Sequence, residues 1–222
     1  MLTFTIVARC PRTSAFGIAT CTTGMAVGSA VPHVEAGVGA VATQATTNVV
    51  HGDNCLRLLR MGFEPQMAIK STLVLDPHPE HRQILVVDSQ DRTASHTGSE
   101  NEYWKGALEG KGYVVAGNGV ASLKVAEAVV EMFKNLVSEA LPERLVRAID
   151  AGERAGGCTK PDHTAALLVV GMENAFKIFL RPVLDLRVDY STEPTKDLLE
   201  LYGQYKTWIS ERRKDPKQIR GY

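Results

Sequence analysis

Two short alternating runs, Thr3 to Cys10 and Phe16 to Thr22, stand at the head of the chain with only Pro11 to Ala15 between them. Residues that alternate in this way point to opposite faces of a strand, and so short a connection joins neighbours, so the fold must open with a β-hairpin. Everything that follows has to build on that first piece of sheet.

Gly24 to Pro32 is small and irregular. Val34 to Asn48 reads as one extended run rich in Gly, Ala, Val and Thr, in which Ala40, Ala42, Gln44 and Thr46 share a face. Asp53 can cap a helix carrying Leu56, Leu59 and Arg60 as far as Gly62, and Pro65 to Leu75 reads as a second helix. Gln83 to Asp88 and Thr93 to Thr97 form another hairpin, with a further strand over Gly112 to Ala116. Ser122 caps a helix reaching Val137, and Pro142 opens one that Gly156 and Gly157 stop. Strands return over Thr164 to Val170, Phe176 to Leu180 and Leu184 to Tyr190, and a last helix begins near Thr195. Groups of strands alternating with groups of helices predict an α+β protein with mostly antiparallel sheets, two of them lying between helices, rather than a doubly wound parallel fold.

At 222 residues and 44% hydrophobic content, one core is expected, a single domain over 1–211 followed by a polar, basic tail over 212–222. The formal net charge is zero and the basic residues are dispersed, which points to small molecules or copies of the same chain as partners and away from nucleic acid or a membrane surface. No apolar run approaches the ~18 residues of a membrane span. Cys10, Cys21, Cys55 and Cys158 form no Cys-x-x-Cys pair, so a reducing, cytoplasmic setting is expected, with no zinc knuckle and no dedicated cofactor or metal.

Thr3 is the first candidate for chemistry. A terminal threonine combines a hydroxyl nucleophile with an α-amino base of pKa about 7.7–8.0. Met1 and Leu2 precede Thr3, so such chemistry needs a cut after Leu2; otherwise Thr3 is a strand-forming, β-branched residue. Thr5 points to the same face and can line the same pocket. Cys21 is the second nucleophile, with His33 or His51 as its base, set against the role of a small buried hydrophobe. An oxyanion needs donors fixed in advance, and Thr46, Thr47 and Asn48, where strand gives way to helix, offer backbone amides. Gln44 and Asn48 add side-chain donors, and Asn118, between Gly117 and Gly119, is another. That glycine turn can also cradle a phosphate, but it lacks the full Gly-x-Gly-x-x-Gly pattern. Asp76, His78, Glu80 and His81 crowd together, as Asp88, Asp91, His96 and Glu100 do more loosely; neither set has His-x-x-x-His spacing, and both read as solvated charge. Asp162 and His163 face either a pocket or solvent.

Thr-Phe-Thr-Ile-Val-Ala at the start, Val-Pro-His-Val-Glu-Ala-Gly-Val-Gly-Ala-Val-Ala-Thr-Gln-Ala-Thr-Thr-Asn at 31–48, Gly-Asn-Gly at 117–119 and Asp-Leu-Arg-Val-Asp at 185–189 resemble an uncharacterised microbial family of Ntn-hydrolase-like proteins, catalogued as a domain of unknown function. The resemblance implies a proteasome-like, four-layer αββα sandwich and hydrolysis of an amide by an N-terminal Thr, Ser or Cys. Proteasome-type relatives hold a lysine beneath the nucleophile. Here no Lys or Arg occurs between Thr13 and Cys55, and His33 stands where that lysine would by order of elements. The reading is an Ntn-type amidohydrolase with Thr3 as nucleophile, His33 and Asn118 assisting, and Thr5, Gln44, Thr46, Thr47 and Asn48 lining the site for a small amide or acyl compound. Its alternative is a small-molecule-binding protein on the same fold with an unprocessed N-terminus, either non-catalytic or using the pocket for chemistry that needs no free terminus. A third is an assembly component in which Tyr202, Tyr205 and Trp208 anchor a homo-oligomer.

Overall fold

A computed structural model describes residues 1–171 and 184–214, the side chains of 212–214 excepted. The strand expected over Phe176 to Leu180 and residues 215–222 of the basic tail lie outside the described residues, while 212–214 continue the last helix. Strands β1 (Thr3–Arg9) and β2 (Phe16–Thr22) form the expected hairpin. They sit inside a six-stranded sheet of order β10 (Leu184–Val188), β9 (Thr164–Val170), β2, β1, β8 (Tyr113–Asn118), β7 (Lys105–Gly110). A four-stranded sheet runs β3 (Pro32–Glu35), β4 (Gly39–Ala45), β5 (Arg82–Asp88), β6 (Thr93–Thr97). All these pairings are antiparallel. Helices α1 (Val50–Arg60) and α2 (Pro65–Leu73) pack on the smaller sheet, and α3 (Leu123–Asn135), α4 (Leu141–Arg154) and α5 (Pro194–Lys214) form a cluster on the larger. The protein is therefore mixed α/β with antiparallel sheets, as the element order predicts.

Alternation along β1 sorts its side chains between two apolar clusters. Phe4, Ile6 and Ala8 meet Val129, Leu145 and Ile149 of α3 and α4. Val7 faces the other way, into a cluster with Ile18, Ala40, Ala42 and Leu85 that joins the two sheets. On the far side of the smaller sheet, Val41, Ile84 and Val86 pack with Cys55, Leu56 and Ile69. Thr3 and Thr5 share the Val7 face, so both are buried between the sheets.

Three local expectations change. The run from Val34 to Asn48 is two strands, because Gly37 takes a left-handed φ of +76° and turns β3 back onto β4. Helix α1 begins at Val50, whose amide donates to the Asn48 side chain at 3.2 Å, so Asn48 does the capping work expected of Asp53. Edge strand β7 carries two glycines and two charges, composition that conceals a strand when no neighbour is known. Among the described residues no helix is long and apolar enough to cross a membrane.

Gly152 sets how closely α4 approaches β1. A Cβ there would lie 2.8 Å from the Phe4 ring and 2.6 Å from Val129. Alanine would gain up to about 1 kcal/mol of helix propensity, yet overpacking costs about 1–3 kcal/mol. Gly152→Ala is expected to lower the denaturation midpoint, and an equal or higher midpoint would show that the helix has room to move.

Candidate functional site

The register of β1 builds a polar seam inside the molecule. Thr3 lies opposite Thr22 of β2 and Asn118 of β8, and Thr5 lies opposite Thr20. The Thr5 hydroxyl donates to Gln44 Oε1 at 2.5 Å, so in the 2.7 Å contact between Thr5 and Thr20 the hydrogen comes from Thr20. Gln44 Nε2 donates to Gln83 Oε1 at 2.6 Å, and Asn118 Nδ2 reaches the same oxygen at 2.9 Å. Gln83 Nε2 in turn donates to Gly117 O at 2.9 Å and to Thr97 Oγ1 at 3.0 Å. Such a chain, satisfied from strand to strand, fixes the two sheets in one register.

The peptide before Thr3 is held as firmly as Thr3 itself. Leu2 O accepts from Thr22 Oγ1 at 2.6 Å and from the Thr23 amide at 3.1 Å. Thr3 Oγ1 lies 2.9 Å from Thr22 Oγ1. Since the single Thr22 hydrogen goes to Leu2 O, Thr3 is the donor to Thr22, and among the described residues no donor engages the Thr3 oxygen. The Leu2 amide donates to Thr23 Oγ1 at 3.3 Å, the Leu2 side chain rests against Gly119, and the Met1 amine lies 3.4 Å from Ala45 O. Thr3 is 0% exposed beneath this segment.

Of the residues expected at the site, Thr3, Thr5, Gln44 and Asn118 come together. His33 does not: it pairs with Val41, whose face is turned to α1, and its ring lies against Gly52 with Nδ1 3.2 Å from the Asp53 carboxylate. Val41, its partner across the turn, is three residues from Gln44 on β4, an odd step that sets the two on opposite faces. The Thr46 amide is spent on His81 O at 3.1 Å, and Thr46 is exposed. Thr47 is half-buried, with its Oγ1 unpartnered among the described residues. Asn48 is occupied by the start of α1 and by His51 Nε2 at 3.3 Å. Thr20, Thr22, Thr23 and Gln83 carry no motif that marks them in the sequence, although the hairpin register makes the pairing of Thr3 with Thr22 legible. No Lys or Arg hydrogen-bonds to this seam among the described residues.

Cys21 faces α4, away from Thr3, with neither His33 nor His51 beside it, and burial followed by the nearby carboxylates raises its thiol pKa. It is therefore no activated nucleophile. Asp76 turns inward to Arg82 and His51 and accepts besides from the His78 backbone amide at 2.8 Å, while Glu80 accepts from the Ser99 amide.

A model described as "Family of unknown function (DUF1028)" matches residues 3–198. The crystal structure of protein SPO2555 from Silicibacter pomeroyi, of the same family, superposes with a TM-score of 0.83 at 30% identity, covering 94% of this chain and 93% of that one. Anbu (ancestral beta-subunit) from Yersinia bercovieri aligns over 94% of this chain and 97% of its own at 8% identity, with a TM-score of 0.39, too slight a likeness to carry an argument. Comparison with curated proteins gave no match.

Proposed function

The chain belongs to the DUF1028 family, whose function is unknown, and from that premise and the geometry at Thr3 we propose that it is an Ntn-type amidohydrolase that first cuts its own Leu2–Thr3 bond. The fold on which it does so is a four-layer αββα sandwich formed by one domain over 1–211. The observation that carries this reading is the clamp on the Leu2 carbonyl: Thr22 Oγ1 at 2.6 Å and the Thr23 amide at 3.1 Å stand where negative charge would develop.

In the cut, Thr3 Oγ bonds to the Leu2 carbonyl carbon while the bond from that carbon to the Thr3 nitrogen breaks. The hydroxyl proton, directed along the contact to Thr22, ends on the departing nitrogen. Water then hydrolyses the ester, releasing Met1–Leu2 and restoring the hydroxyl. Thr3 now has a free amine beside its nucleophile, the general base this chemistry needs. A substrate acyl carbonyl occupies the place of the Leu2 carbonyl, with the same two donors, and Asn118 and Gln44 hold the floor of the pocket through Gln83.

Thr22→Val keeps the shape and removes the donor. It is expected to slow the release of Met1–Leu2 by about 10²–10³-fold, read as intact mass against time in protein carrying no N-terminal tag. Retention of the dipeptide in the parent chain would overturn the reading. Two observations favour the second reading, a binding protein with its N-terminus uncut: Thr3 is wholly buried, and no Lys or Arg touches the seam among the described residues.

A further inference from the structure

On the opposite face of the six-stranded sheet from Thr3 lies a second group of reactive side chains. Cys21 of β2, Glu153 at the end of α4 and Asp162 in the following loop each bring one ligand atom within 4.8 Å of the others. Cys21 Sγ is 3.9 Å from Glu153 Oε2. Asp162 is only 5% exposed; its Oδ2 accepts from the Cys158 amide at 3.0 Å, and its Oδ1 has no hydrogen-bond partner among the described residues. The Cys158 thiol lies beside Asp162. The cysteines have no knuckle spacing, but the isolated bridge between Val120 and Cys158 and the His163 amide, which donates to Thr22 O at 2.9 Å, hold the connecting loop beside β2.

Two carboxylates and two thiols share this volume, and no salt bridge from Lys or Arg reaches either acid among the described residues. Burial first, and then the Asp162 carboxylate, pushes the Glu153 carboxyl up to about 8. Gly157, at φ +53°, keeps the space open: a Cβ there would lie 2.6 Å from Glu153 Oε2 and 2.9 Å from Asp162 Oδ2. Asp162 thus has a buried oxygen without a partner and shares its volume with a thiol and a second carboxylate, a ligand set suited to a cation.

We propose that Cys21, Glu153 and Asp162 form a binding site for one zinc-class divalent ion, with Cys158 at its border. The thiol selects a borderline-soft metal over magnesium or calcium, while carboxylate oxygens complete an N-free set that zinc accepts. Binding displaces the thiol proton and the proton that Glu153 holds near neutrality, both released to solvent, so the ion ties β2 to the end of α4 and to the loop over 155–163. This site lies across the sheet from Thr3 and is independent of the amidohydrolase reading.

The full chain, dialysed against chelator, is titrated with Co²⁺ and separately with Zn²⁺. A thiolate-to-cobalt charge-transfer band saturating at about one ion per chain, and a higher Tm with Zn²⁺, are expected. Cys21→Ser should abolish the band, and Asp162→Asn should weaken Zn²⁺ binding by at least about tenfold; Cys10→Ser, which alters a remote thiol, should change neither. Should Cys21→Ser not fold, the parent spectrum decides. Absence of a thiolate band in the parent, or Zn²⁺ affinity unchanged in Asp162→Asn, overturns the proposal and leaves Glu153 and Asp162 as a pair sharing a proton.

Discussion

Thr3→Ala is expected to retain Met1–Leu2 and to lose amide hydrolysis by about 10³-fold or more, because the substitution removes the atom that forms the new bond. The structural cost should be small. Thr3 gives up one hydrogen bond to Thr22, a loss of about 1 kcal/mol, while Thr22 goes on donating to Leu2 O at 2.6 Å. A catalytic role thus separates from a structural one by near-parental thermal stability alongside absent cleavage. Thr3→Ser keeps the nucleophile and should cut its own peptide and turn over substrate. Cleavage and hydrolysis at parental rates in Thr3→Ala would remove Thr3 from the mechanism.

The opening hairpin fixes much of this in advance. Alternation in Thr3 to Cys10 and Phe16 to Thr22 reveals the strands, and a period of two places Thr3 and Thr5 on one face and Phe4 and Ile6 on the other. Period alone does not say what that face meets. Gln83 is 80 residues from Thr3 and reaches it only through the packing of one sheet on another, by way of Gln44 and Asn118. A polar residue in an apolar strand such as β5 carries no mark of its partner until the layers are stacked. His33 fails as a tuning group for a reason of parity, since it shares the face of Val41 and is taken by Asp53. Thr46 directly follows β4, but its amide is committed to His81 O, a contact set by the loop before β5 that no local pattern displays. The acid and thiol group was hidden in the same way: Cys21 and Glu153 belong to a strand and a helix that meet only in the packed core.

Asp76→Asn is expected to lower stability at neutral pH by about 3–5 kcal/mol, the cost of breaking one side of a buried ion pair. The Asp76 side chain is fully buried and accepts from Arg82 Nε at 2.8 Å, from Arg82 Nη2 at 3.0 Å and from the His78 amide at 2.8 Å, with His51 also in contact. Arg82 carries the effect onward, for its Nη1 donates to Thr46 O at 2.6 Å and so ties the loop after α2 to the end of β4. Removing the carboxylate charge strands a nearly buried guanidinium. The Arg82 hydrogen bonds foremost, followed by the His78 amide and His51, hold the Asp76 carboxyl well below the usual carboxylate range. A folded pKa depressed below the unfolded value of about 3.9 gives stabilisation that is complete above that value and lost as pH falls through it toward the folded pKa. The gap in unfolding free energy between parent and Asp76→Asn should therefore be widest near neutrality and shrink on acidification below about pH 4. Urea denaturation of both proteins across that range measures it, and a gap that does not change with pH would mean that Asp76 acts through packing and neutral hydrogen bonds instead of through its charge.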